Sequence, residues 1–233
     1  MKSLRELYKI GRGPSSSHTM GPMKAAGIFA SEHADAARYE VELYGSLAAT
    51  GKGHMTDAAI SDVLEKTAPC KIIWYPAKTL PYHPNGMVFK AFDNSDKAIA
   101  EWTCYSIGGG SLSEGGEKDR FAESPEVYDK NTIGEIIEWC RDNGRSFWEY
   151  VELCEGPQIW DYLAEIWQAM KQSVENGLNN EGALPGPLHL SRKAATYHIK
   201  ASGYKPSLQS RGLVFSYALA VSEENASGGT IVT

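Results

Sequence analysis

The sequence predicts an α+β protein, with an N-terminal α/β sandwich-like lobe built on a mixed or antiparallel sheet and an all-helical segment after it. Three observations predict this. From Tyr39 to Tyr44 apolar and acidic residues alternate, the period of a half-buried strand. Short apolar runs punctuated by glycine recur up to Gly110. Beyond Thr132 apolar residues recur every three or four positions, as on a helix face. A division into lobes 1–150 and 151–233 follows.

Element by element, Ser3 with Glu6 forms a capping box, and Leu4, Leu7 and Tyr8 share a face, which predicts a short helix running to the Gly11–Gly13 turn. A loop from Gly13 to His18 then opens into a helix carrying Met23, Ala26, Ile28, Phe29 and Ala30. After the strand at 39–44, Gly51 and Gly53 break the chain before a helix over Asp57–Leu64. Strands over 71–75 and 87–92 flank Pro81–Gly86, where Asn85-Gly86 signals a turn. Another strand spans Ile99–Ile107 and ends in Gly108–Gly110, and the polar stretch 111–131 reads as a long hairpin or loop.

The helical part opens with capping boxes at Thr132 with Glu135 and Ser146 with Glu149, separated by Asn143-Gly144. Ile159, Leu163, Ile166, Met170 and Val174 predict a long helix up to Gly177. Leu213–Val221 is apolar nearly all round, as in a helix buried inside a larger domain. The final Gly228–Thr233 is a glycine turn leading into an apolar run, which suggests truncation.

Composition narrows the function classes. With 23 Lys and Arg against 29 Asp and Glu and no long basic run, the net charge of −6 argues against a nucleic-acid partner. No apolar stretch approaches the ~20 residues of a spanning helix, and Met1–Glu6 carries no apolar signal core, so the expected setting is cytoplasmic with no membrane association. Cys70, Cys104, Cys140 and Cys154 are far apart with no C-x2-C pair, which predicts buried thiols and no disulfide framework.

Nucleotide motifs fail: Lys52 is followed by Gly53 where a P-loop needs Ser or Thr, and Gly11-Arg12-Gly13 lacks the third glycine of a dinucleotide fingerprint. Two glycine-flanked histidines remain, His18 after Ser15-Ser16-Ser17 and His54 after Gly51-Lys52-Gly53, each just before a predicted helix. Helix N–H groups and adjacent hydroxyls suit a small carboxylate. The plainer alternative is that Ser17 or Thr19 caps a helix and His18 faces solvent. Ser106 beside Gly108–Gly110 brings a hydroxyl and bare backbone to a ligand, or is a flexible strand exit. His83 and Asn85 suit a turn as well as a site, and His33, His189 and His198 read as packing or surface residues.

Gly13–Pro22 (GPSSSHTMGP) resembles the opening signature of iron-sulfur-dependent L-serine dehydratases. In that family's β-domain order follow Tyr44–Leu47 with Gly51–His54, His83–Gly86 and Tyr105–Gly110, while Glu181–Gly186 and Ala218–Gly229 resemble the start of its α, or catalytic, domain. The resemblance implies conversion of L-serine to pyruvate and ammonia. It also implies a [4Fe–4S] cluster acting as Lewis acid, no pyridoxal phosphate, and a homodimer joined through the β lobe. Carried over by motif, His18 and His54 are the catalytic candidates, and Ser16, Ser17, Thr19, Ser106 and Asn85 the substrate contacts. The four cysteines do not match the family's cluster ligands, the first of which is expected just beyond Thr233, so this polypeptide alone is expected to hold no intact cluster and to lack dehydratase activity. The rival readings are a non-catalytic regulatory module that binds L-serine, because the β domain resembles an allosteric domain of some phosphoglycerate dehydrogenases, and a pyridoxal-phosphate dehydratase, for which no lysine lies in a convincing Schiff-base motif.

Overall fold

The computed structural model describes residues 1–116, 119–121, 125–186 and 188–233. In chain order the N-terminal part comprises α1 (Leu4–Leu7), β1 (Ile10–Arg12), one π-helical turn (Ser16–Met20), α2 (Gly21–Glu32) and β2 (Arg38–Tyr44). There follow α3 (Gly45–Thr50), α4 (Thr56–Leu64), β3 (Cys70–Tyr75), β4 (Gly86–Phe92), β5 (Ala98–Gly108) and β6 (Ser111–Ser113). The helical part holds α5 (Ile133–Asn143), α6 (Phe147–Glu155), α7 (Ile159–Asn179), α8 (Ala194–Ser202) and α9 (Pro206–Ala226), and strand β7 (Thr230–Val232) closes it.

Tyr39, Val41 and Leu43 are buried, and the residues between them keep partial contact with water, so β2 follows the predicted alternation. It lies inside a mixed five-stranded sheet of order β3-β2-β4-β5-β6. Helices α2 and α4 cover one face, where Phe29 meets Phe89 and Tyr39 at ring separations of 5.5 and 6.0 Å. Burying such aromatic and aliphatic side chains is the main favourable contribution to the lobe's stability. On the other face Lys90 pairs with Glu42 at 2.8 Å across neighbouring strands.

Several local expectations are corrected. The two strands predicted around Pro81–Gly86 are present but are not paired with each other: β3 runs parallel to β2, and β4 pairs antiparallel with the other edge of β2. Alternation identifies a strand but not its neighbours, which long-range packing selects. At the N-terminus the helix lasts a single turn. The Ser3 hydroxyl accepts from Arg5 N and donates to Glu155, whose carboxylate also takes the Leu4 N–H, so Glu155 replaces Glu6 in the cap. What reads as a Gly11–Gly13 turn is β1, which pairs antiparallel with β7 through Ile10–Val232, Gly11–Ile231 and Arg12–Thr230. The stretch 111–131 begins as β6, reached through Gly108–Gly110, all three at positive φ. Residues 117, 118 and 122–124 of that stretch lie outside the described residues.

Both predicted capping boxes of α5 and α6 are formed, and Gly144 ends α5 in the left-handed conformation. Helix α7 packs closely on α9, where a Cβ on Gly177 would lie 2.1 Å from the Ala220 carbonyl oxygen. The apolar stretch 213–221 is not buried all round. Ser216 and Ala220 face inward, whereas Val214 and Phe215 are 68% and 51% exposed, because α7 and α8 cover only one side of α9. Among the described residues no helix is long and apolar enough to cross a membrane.

Candidate functional site

The chain leaves β1 through Gly13 and enters the π turn, where Ser15 takes up three donors: its side chain accepts the His18 N–H, and its carbonyl those of Thr19 and Met20. These amides are therefore satisfied internally, contrary to the expectation of free helix-start N–H groups at His18. His54 likewise sits in a turn continuing α3, its N–H bonded to the Thr50 and Gly51 carbonyls, and α4 starts two residues later.

The two turns are clasped together. Thr19 Oγ1 donates to the His54 carbonyl at 2.8 Å, and Thr56 Oγ1 donates to the His18 carbonyl at 2.6 Å. Both threonines are fully buried. Each thus binds the backbone of the opposite histidine, and the rings stand 4.7 Å apart at a 39° tilt.

His18 Nδ1 lies 2.9 Å from Ser17 Oγ, and its Nε2 lies 3.0 Å from Ser46 Oγ at the start of α3. His54 Nδ1 lies 3.1 Å from the Thr50 carbonyl. A carbonyl only accepts, so in the neutral ring this nitrogen carries the proton and Nε2 keeps its lone pair. The His18 pKa is lowered, first by burial and then by the neighbouring His54, with the Ser46 backbone acting in the opposite sense. His18 therefore resists protonation at neutral pH.

Beneath the π turn lies Ser106. A Cβ on Gly21 would sit 2.2 Å from Ser106 Oγ, so glycine is required for this close approach. That hydroxyl is buried and has no hydrogen-bond partner. Asn85, in the turn just before β4, supports it: the Asn85 carbonyl accepts the Ser106 N–H, and Asn85 Nδ2 donates to the Ser106 carbonyl at 3.1 Å. Asn85 N in turn donates to His83 Nδ1, and the Ser46 N–H to the Pro84 carbonyl. The four glycine-rich motifs thus meet at one place.

Ser16 faces elsewhere, into a recess of about 460 Å³ that it shares with Pro14, Ser222, Asn225 and Thr233. Asn225 donates to the Pro14 carbonyl, while its buried Oδ1 has no partner. Of the predicted contacts, Ser17 touches His18, Ser106 lies against Gly21 and Ser16 lines the recess. Thr19 has no exposed surface and spends its hydroxyl on backbone, and Asn85 acts by holding Ser106. Sequence reasoning did not single out Ser46, Thr56 or Asn225 as contacts, although Ser46 lies in the Tyr44–Leu47 motif and Asn225 in the Ala218–Gly229 stretch.

A three-thiolate cluster does not fit the cysteines present. Among the described residues no three His, Cys, Asp or Glu side chains group as metal ligands. Cys104 is buried in the sheet core, where burial pushes its thiol up, and burial pushes Cys70 up to about 12. Thiols held neutral in this way are poor ligands.

Comparison with known proteins bears on the same motifs. The family model for the serine dehydratase beta chain matches residues 3–72 and 63–117, and that for the serine dehydratase alpha chain matches residues 135–233. L-serine dehydratase 1 and L-serine dehydratase TdcG of Escherichia coli (strain K12) are each 34% identical over all of this chain, and the L-serine dehydratase of Streptomyces coelicolor is 33% identical over 99% of it. The chain spans about 62% of the length of these relatives. It belongs to the serine dehydratase family, of which it carries the beta-chain region and the start of the alpha-chain region.

Proposed function

We propose that this chain supplies the serine-binding and proton-transfer part of an L-serine dehydratase, a lyase that takes L-serine to pyruvate and ammonia. The observation that carries the reading is the clasped pair of imidazoles, His18 and His54, with rings 4.7 Å apart and hydroxyls at both nitrogens of His18. The relatives named L-serine dehydratase support the reaction class.

In this proposal His54 is the base. Its Nδ1 is held by the Thr50 carbonyl, so Nε2 accepts the proton from Cα of serine. The electron pair left on Cα forms the Cα–Cβ double bond as the Cβ–O bond breaks, and the departing hydroxide takes the proton held on His54 and leaves as water. Aminoacrylate then tautomerises to an imine, which water hydrolyses to pyruvate and ammonia. His18 stays neutral beside the protonated His54, because burial and the adjacent charge both oppose a second cation. Ser17 and Ser46 orient His18, and Ser106 offers its unpartnered hydroxyl to a polar group of the substrate. The [4Fe–4S] cluster implied by the resemblance would take its thiolates from beyond Thr233, since those of this chain do not fit it.

Titration of the chain with L-serine, followed by the imidazole resonances of His18 and His54, tests the reading. Both rings are expected to shift with L-serine and not with D-serine, and His54→Ala is expected to abolish turnover in the full-length enzyme. Silence of both rings at saturating L-serine overturns the proposal. Binding with turnover untouched by His54→Ala would instead assign the chain to a regulatory, non-catalytic role.

A further inference from the structure

The last residue of the π turn, Met20, also borders a separate cleft of about 790 Å³. Its charged walls are Arg5, Lys9, Arg12 and Lys24, against which Glu6 is the one acidic residue among the lining residues. Neither histidine, nor Ser16, Ser17 or Ser106, lines it. The chain as a whole carries −6, so four cations gathered on one concave surface run against its overall charge. In a recess partly screened from water such a grouping concentrates positive potential.

The cations are also held in place. Arg12 donates to the Gly228 carbonyl at 3.1 Å and pairs with the largely exposed Asp62. Arg5 lies over the Tyr162 ring at 4.7 Å and donates to the Gln158 carbonyl. Lys9 reaches Ser111 Oγ at 3.1 Å and Glu6 at 2.9 Å. Lys24 is exposed at the mouth. Cations preset by such contacts lose little freedom when an anion arrives.

We propose that this cleft binds a small multivalent anion, a di- or tricarboxylate or a phosphorylated metabolite, at a site distinct from the histidine pair. The cleft's volume suits a compact molecule. Occupancy would be felt at the histidines through Met20. A Cβ on Gly11 would lie 2.1 Å from Met20 Cε, and one on Gly110 would lie 3.4 Å away, so the side chain is confined between two stretches of bare backbone. Met20 lies two residues from His18 in the same turn.

Citrate and inorganic phosphate are the probes, titrated into the intact chain at ionic strength fixed with sodium chloride, with backbone amide shifts and calorimetry as readouts. At least one probe is expected to bind, shifting the amides of Gly11, Gly110 and Gly229 and the His18 ring. Lys24→Glu, a change at an exposed side chain, is expected to weaken that binding at least tenfold and to leave L-serine binding unchanged. The inference is overturned if neither probe binds, if shifts centre on Ser16 and Ser17 instead, or if Lys24→Glu binds as tightly as the parent. Since L-serine is titrated separately, failure here and failure of the dehydratase reading are distinguishable.

Discussion

The imidazole of His18 faces that of His54 across 4.7 Å, and the two rings cannot both be charged without repulsion in a partly buried site. Removing His54 should therefore relieve one of the two causes that lower the His18 pKa. In His54→Ala the His18 titration, followed by NMR, is expected to move up toward the ordinary value of about 6.5, and an unchanged midpoint would contradict the coupling. The sign for stability follows. Between the folded and unfolded pKa values the unfolded chain binds more protons, so parent stability should fall as pH drops through about 6.5 and level off below the folded pKa of His18.

The threonine clasp gives a second test. Thr19→Val or Thr56→Val leaves a backbone carbonyl without its donor, and each is expected to cost about 1–3 kcal/mol in denaturant unfolding. The double variant should cost less than the sum, because either change frees the same two turns. Strict additivity would mean that the clasps act independently.

Ser106→Ala separates a structural from a binding role. Its hydroxyl is buried without a partner, so its loss should leave stability unchanged or raise it by about 1 kcal/mol. L-serine affinity should nevertheless fall about tenfold, or ~1.4 kcal/mol. A destabilised variant with full affinity would show that the hydroxyl serves packing alone.

Gly177→Ala tests the helical part. A glycine-to-alanine change inside a helix ordinarily gains up to about 1 kcal/mol. Here the new methyl would meet the Ala220 carbonyl of α9 at 2.1 Å, so a loss of about 2–3 kcal/mol is expected instead, read as a lower thermal midpoint. A gain would show that α7 and α9 can separate at no cost.

The cysteines supply a final prediction. Anaerobic reconstitution of the isolated chain with iron and sulfide is expected to give a colourless protein that forms no pyruvate, because its thiols are scattered and burial holds Cys70 and Cys104 neutral. A brown product with the visible absorption of a cluster would refute this.

Patterns confined to a few neighbouring residues were legible in the sequence. The alternation at Tyr39–Leu43 gave β2, and Thr132 with Glu135 and Ser146 with Glu149 marked two helix starts. Features decided by distant partners were not. Ser3 is capped by Glu155, β1 is a strand because β7 pairs with it, and β3 joins the far side of β2; no local window contains these partners. The same limit applies at the site. His18 and His54 stood out through their glycine-rich surroundings, but Ser46 matters only because the fold brings α3 against the π turn. Thr19, which resembled a ligand contact, is instead a strut, a role visible only once its hydroxyl is seen to end on the His54 carbonyl.

The pairing of Ile10–Arg12 with Thr230–Val232 has a consequence for biosynthesis. During translation the sheet lobe can collapse as soon as its own strands have left the ribosome, but the segment leading into the π turn must wait for its partner strand, encoded more than two hundred codons later. Closing so long a loop is entropically costly and follows the pairing of nearer strands. The histidine pair therefore acquires its final geometry only after Thr230–Val232 has been made, and a nascent chain stalled before Thr230 would carry a folded scaffold with an unfinished site.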